Sequence, residues 1–203
     1  MDIEGLRWDN MIPKVIHYVW FGKGEKSDKI KYCMESWNKF LPNFELKEWN
    51  EDNFPINYNK FATQSYMAGK FAFTSDVARL YALHESGGIY MDTDVEIIRE
   101  LPLEELLNQK AFTGFEVLGY PATAVMGAEK GNPIIKEFLD YYKDRDFEEY
   151  TNTKIMSNIL EKHGIDRMNN ATQRINGFTV YPSNWFNDEN GYAKHWMEAS
   201  WIV

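Results

Sequence analysis

Thr74-Ser75-Asp76-Val77-Ala78-Arg79-Leu80-Tyr81-Ala82-Leu83-His84-Glu85-Ser86-Gly87-Gly88-Ile89-Tyr90-Met91-Asp92-Thr93-Asp94-Val95-Glu96-Ile97-Ile98 sets a helix, a stop, a strand and a pair of acids in direct succession. Thr74 or Ser75 can cap the helix, Asp76 suits its positive N-terminal end, and Gly87-Gly88 ends it. Val77, Leu80, Tyr81 and Leu83 suit packing against a sheet. Ile89-Tyr90-Met91 reads as a short buried strand, and Val95-Glu96-Ile97-Ile98 resumes the extended pattern beyond the acids. A helix packed on a sheet and returning into a buried strand predicts an α/β fold.

The same alternation extends in both directions. Upstream, Lys14 to Phe21 reads as a buried strand ending in a glycine-rich turn, Asp28 to Phe40 as a helix, and Phe44 to Trp49 as a second strand. Downstream, Pro102 to Lys110 is expected to form a short helix, Ala111 to Met126 one or two strands, and Pro133 to Lys143 a helix with proline in its first turn. Thr153 to Lys162 reads as a helix and Phe178 to Tyr181 as a strand, while 183–203 lacks clear periodicity. No repeat, low-complexity tract or linker divides the chain, so 1–203 is expected to form a single domain with an irregular C-terminal segment.

Asp92 and Asp94 stand two apart in a stretch read as extended on both sides, which turns both carboxylates the same way. Two acids at the end of a buried strand repel one another and lose hydration, and a divalent cation relieves both costs. Oxygen ligands suit magnesium, manganese or calcium. Ligands of open α/β sheets gather at the carboxyl ends of strands, where this pair lies. The competing reading is an ordinary acidic turn after a strand.

Asp76 and Arg79 share one helical face at i, i+3 and could simply form a surface pair, worth roughly 0 to 1 kcal/mol. Beside a carboxylate–cation site, Arg79 could instead meet a phosphate or sugar, and Asp76 could accept from sugar hydroxyls. Trp20 ends the first strand and is either core or a flat platform for a nucleobase. His17 reads as a core histidine. His195 is either structural or, as a neutral imidazole, a third ligand beside the two acids.

Composition narrows the partners. The 203 residues are 44% apolar and 16% aromatic, enough for a sizeable core. A net charge of −9 argues against a nucleic-acid backbone as partner. The single cysteine, Cys33, cannot form an internal disulfide and reads as a buried thiol. No apolar run reaches the length of a membrane span, and the first residues lack a secretory pattern. A cytoplasmic protein is therefore expected, with peripheral association at the inner membrane face left open.

Three blocks carry a resemblance: Ile12 to Gly22; Ser75 to Arg79 followed by Gly87 to Asp94; and His195 to Trp201. In this order they resemble the bacterial sugar transferases of glycosyltransferase family 32, and more distantly the catalytic domains of large clostridial glucosylating toxins. The resemblance implies a GT-A fold with an open, mixed, mainly parallel sheet flanked by helices. It also implies Mn²⁺ or Mg²⁺ and transfer of a hexose with retention, from a nucleotide sugar (a UDP-sugar is expected) to a saccharide or lipid-linked saccharide in polysaccharide or surface-glycan synthesis. By that likeness Trp20 stacks on the base, Ser75 and Tyr90 lie beside the nucleotide, and Asp76 and Arg79 hold the donor sugar. Asp94 and His195 ligate the metal, Asp92 binds it directly or through water and also meets the ribose, and Ser200 and Trp201 close over the diphosphate. Two other classes compete: a metal-dependent hydrolase, and a non-catalytic carbohydrate-binding module suggested by the seven tryptophans.

Overall fold

A computed structural model describes residues 12–198. The chain opens as β1 (Val15–Val19), α1 (Asp28–Phe40) and β2 (Glu45–Trp49), with β1 and β2 paired in parallel. Ser27 caps α1 by accepting from the Ile30 amide, and α1 buries Ile30, Cys33 and Trp37. Burial pushes the Cys33 thiol up to about 11, so it is an inert core group. Next come α2 (Lys60–Met67), α3 (Phe71–Ser86), β3 (Gly88–Met91), β4 (Val95–Ile97) and α4 (Leu103–Leu107). The rest is β5 (Ala111–Val117), β6 (Tyr120–Ala128), α5 (Pro133–Tyr141), α6 (Asn152–Lys162), β7 (Gln173–Ile175), β8 (Phe178–Tyr181) and β9 (Ala193–His195).

Seven strands form one open sheet in the order β2-β1-β3-β6-β5-β8-β7. The sheet is mixed: β1 runs parallel to both β2 and β3, and β5 parallel to β8, while β6 is antiparallel to its two neighbours and β7 to β8. Alternation along the strands divides the core between two faces. Val19, Tyr90, Phe115 and Met126 pack with helical residues such as Val77, Leu80, Phe138 and Leu160. Ile16, Ile89, Met91 and Phe112 pack the other way, with Trp37, Leu106, Phe186 and Ala193. A Leu80 or Phe138 side chain buried like this contributes roughly 1.5–3 kcal/mol.

The stop between α3 and β3 depends on glycine. Gly87 and Gly88 have φ of +66° and +118°. A Cβ on Gly88 would lie 2.8 Å from the Val15 carbonyl oxygen and 2.9 Å from His17 Nε2. His17 is fully buried, donating from Nε2 to the Gly87 carbonyl (2.7 Å) and accepting at Nδ1 from the Trp49 indole (3.0 Å). It is a core histidine, as expected, and it ties β1, β2 and the double glycine together.

Three details differ from the sequence-based expectations. The helix expected to begin at Thr74 or Ser75 begins one turn earlier, at Phe71, and has no side-chain cap. Thr74 is buried and its hydroxyl meets Ser65 at 2.9 Å, while Ser75 Oγ donates back to the Phe71 carbonyl, so neither hydroxyl is free to cap. Asp76 consequently lies beyond the first turn. The acidic pair also differs: Thr93 and Asp94 form a turn, closed by the Val95 amide donating to the Asp92 carbonyl (3.0 Å). The segment 183–203, expected to be irregular, contributes β9, which pairs antiparallel with β4 as a separate two-stranded ribbon.

Candidate active site

Because β1 and β3 are parallel, Trp20 and Asp92 emerge at the same edge of the sheet, and α3 lays Asp76 and Arg79 along it. These residues, with Ser75, Tyr90, Asp94, Glu116, Thr123, Asn152 and His195, line a cavity of about 720 Å³. The structure therefore brings together every site residue proposed from the sequence except Ser200 and Trp201, which lie outside the described residues.

Arg79 is the hub. Its Nη1 donates to the Thr123 carbonyl (2.9 Å) and reaches Asp92 Oδ2 (3.4 Å), while Nη2 lies 3.1 Å from Asp76 Oδ1 and 3.4 Å from Asp92 Oδ1. The guanidinium sits 4.7 Å from the centre of the Tyr90 ring. The Asp76–Arg79 pair is thus not the exposed pair that its spacing allows; the two side chains are only 9% and 7% accessible. Burial opposes the Arg79 charge, but Asp92, Tyr90 and Asp76 more than offset it and hold the cation. Burial pushes the Asp76 carboxyl up to about 7, against the downward pull of Arg79. Asn152, the first residue of α6, donates to Asp76 Oδ1 from the facing wall. Tyr90 donates its hydroxyl to Asp92 Oδ1 at 2.7 Å.

Asp92, Asp94 and His195 each offer a ligand atom, and these atoms lie within 4.8 Å of one another. His195 Nε2 is 3.3 Å from Asp94 Oδ1, and Nδ1 is 3.1 Å from Glu116 Oε1. Burial alone would lower the His195 pKa, yet the two carboxylates raise it to about 10. Burial works against the Asp94 anion too, and His195 with the Glu198 amide, 2.9 Å from Oδ2, nevertheless holds it below the usual range. Two carboxylates and one imidazole, all opening onto the cavity, fit a manganese- or magnesium-like cation. Pleating did not bring the acids together; the turn at Thr93-Asp94 did, and the β4–β9 ribbon delivers the imidazole.

Trp20 is half-buried, its indole N–H donating to the Gly24 carbonyl (2.7 Å) and its ring facing the cavity, with Lys26 Nζ 5.1 Å from the ring centre. Trp20 thus lines the cavity wall and is not part of the core. Glu116, Thr123 and Asn152 were not singled out from the sequence. Alternation along the strand before Val117 could have flagged Glu116; the Thr123 carbonyl and the Asn152 contact arise only from tertiary folding.

Residues 27–113 match the family described as the glycosyltransferase sugar-binding region containing DXD motif. Over that stretch the chain is similar to a DXD glycosyltransferase region. That region holds Asp76, Arg79, Tyr90, Asp92 and Asp94. Over 132 residues the chain is 30% identical to inositol phosphoceramide mannosyltransferase 3 of Schizosaccharomyces pombe, covering 63% of this chain and 36% of the relative. It is 24% identical to the uncharacterized glycosyltransferase L373 of Acanthamoeba polyphaga mimivirus, covering 94% of this chain and 84% of that one. Among solved structures, the PaToxG glycosyltransferase matches with a TM-score of 0.58 at 18% identity, over 75% of this chain and 69% of that chain. The fold is GT-A. Among the described residues no helix is long and apolar enough to cross a membrane.

Proposed function

We propose that residues 1–203 act as one catalytic domain of a metal-dependent, retaining glycosyltransferase that moves a hexose from a UDP-sugar to a saccharide acceptor. The convergence of Asp92, Asp94 and His195 beside Arg79 carries this reading. A Mn²⁺ or Mg²⁺ ion held by those three residues would supply charge stabilisation to a diphosphate leaving group. Arg79, fixed by the Thr123 carbonyl, presents a second positive charge at the same place. The Trp20 ring offers a stacking surface for the base, and Asp76 offers an acceptor oxygen to a sugar hydroxyl.

In the step itself, the bond from the anomeric carbon to the β-phosphate oxygen breaks and its electron pair leaves with the diphosphate. The acceptor hydroxyl bonds to the anomeric carbon, and its proton passes to the departing phosphate oxygen. Asp76, Asp92, Asp94 and Glu116 each accept hydrogen bonds from neighbouring side chains or amides, which favours same-face attack over a carboxylate nucleophile. The test is incubation with a panel of nucleotide sugars and Mn²⁺, with and without saccharide acceptors, for the native chain and Asp94→Ala. Acceptor-dependent transfer that disappears in the folded variant supports the reading. Undiminished transfer by the variant, or release of free sugar regardless of acceptor, overturns it.

A further inference from the structure

Glu116 is built into the cavity wall and, in the scheme above, neither holds the cation nor meets the donor. Along β5, Phe112 joins the face that contains Phe186 and Ala193, Gly114 abuts Phe186, and Phe115 joins the opposite face. The same alternation sends Glu116 toward β9, where Oε1 lies 3.1 Å from His195 Nδ1. Asn187 Nδ2 donates to the Glu116 carbonyl (3.0 Å), tying this end of β5 to the segment that leads into β9. Facing a carboxylate oxygen, Nδ1 is the ring nitrogen that donates in this contact. That leaves Nε2 as the nitrogen directed at Asp94, 3.3 Å away. The clustered ligand atoms are those of Asp92, Asp94 and His195, without Glu116.

We propose that Glu116 is the positioning residue of the cation site, fixing the ring plane and tautomer of His195 so that Nε2 meets an ion shared with Asp92 and Asp94. The inference rests on the metal-dependent reading above. Carboxylates that hold a ligating imidazole by its other nitrogen are worth about 10–100-fold in metal affinity.

The experiment is calorimetric titration of Mn²⁺ into the full chain and into Glu116→Ala, Glu116→Met, Glu116→Gln, His195→Ala and the Glu116→Ala/His195→Ala double variant. Glu116→Ala and the volume-keeping Glu116→Met are expected to weaken binding about 10–100-fold with little change in thermal midpoint. Glu116→Gln keeps an acceptor oxygen and should fall between them and the native chain. On the His195→Ala background, losing Glu116 should cost nothing more. If Glu116→Met binds Mn²⁺ as tightly as the native chain, or if the Glu116 loss persists in full without His195, the inference fails while the metal reading stands. A native chain that binds no divalent cation overturns the metal reading and this inference with it.

Discussion

Arg79 satisfies more oxygen atoms than any other side chain at the cavity, and its planar fork is what permits this. Lysine offers one point charge on a flexible stem and cannot reach Thr123, Asp76 and Asp92 together. Arg79→Lys should therefore retain the fold and lose about 100-fold or more in kcat, measured by steady-state transfer. Arg79→Met should cost about 1–3 kcal/mol in chemical denaturation, because the Thr123 carbonyl and the buried Asp76 lose their hydrogen-bond donor. His17 makes a prediction of opposite character. Burial holds its pKa below 6.5, its value when exposed, so the unfolded chain binds the proton more readily. Its contribution is complete above pH 6.5 and is lost as the pH falls through the lower folded value. The stability gap between the native chain and His17→Gln should accordingly narrow from pH 7.5 to pH 5 in urea unfolding at each pH (a gap of about 1–3 kcal/mol at the upper end). A gap that widens on acidification would contradict this assignment.

At the scale of elements, Gly88 decides how β3 leaves α3. With φ at +118° and the Val15 carbonyl in the way of a side chain, Gly88→Ala should destabilise the protein by about 2 kcal/mol or more. Because β3 ends at the acidic pair, Mn²⁺ affinity should fall in the same variant; thermal unfolding and calorimetry check the two effects separately. Elements with a full apolar period were legible: α1, α3, α5 and α6 stand where their stripes lie, within about a turn. By contrast, α2 (Lys60–Met67) has only Phe61 and the small Ala62 and Ser65 buried, too little contrast to announce a helix. The three-residue edge strand Gln173–Ile175 presents no buried position at all. The start of α3 was misplaced because hydroxyls that usually cap a helix here bond inside it. The acids, the arginine, the tryptophan and the histidine could be read from residue type and position. Alternation could have placed Glu116 on its strand, but its pairing with His195, like that of Asn152 with Asp76, joins residues more than 70 apart and could not be read.

For the molecule as a whole, the proposed function asks an acidic chain with net charge −9 to accept a dianionic diphosphate. The field of the protein opposes this, and Arg79 already faces two carboxylates, so the proposed cation is the group that would reverse the local sign. Mn²⁺ at about 100 times its Kd should raise the unfolding free energy by about 2.7 kcal/mol, and UDP should add to that only when Mn²⁺ is present. Thermal-shift assays on the native chain and Asp94→Asn distinguish the cases: the variant should show neither increment. A UDP shift of equal size in EDTA would remove the cation from the scheme.

The Trp196 and Glu198 amides donate to the Asp94 carbonyl and to its Oδ2, respectively. Two backbone protons from the far end of the chain thus sit on the residue proposed to grip the ion. Their exchange with deuterated solvent should slow as those two bonds hold, and comparing it with exchange in the three residue pairs of the adjoining ribbon would time how often the site falls apart.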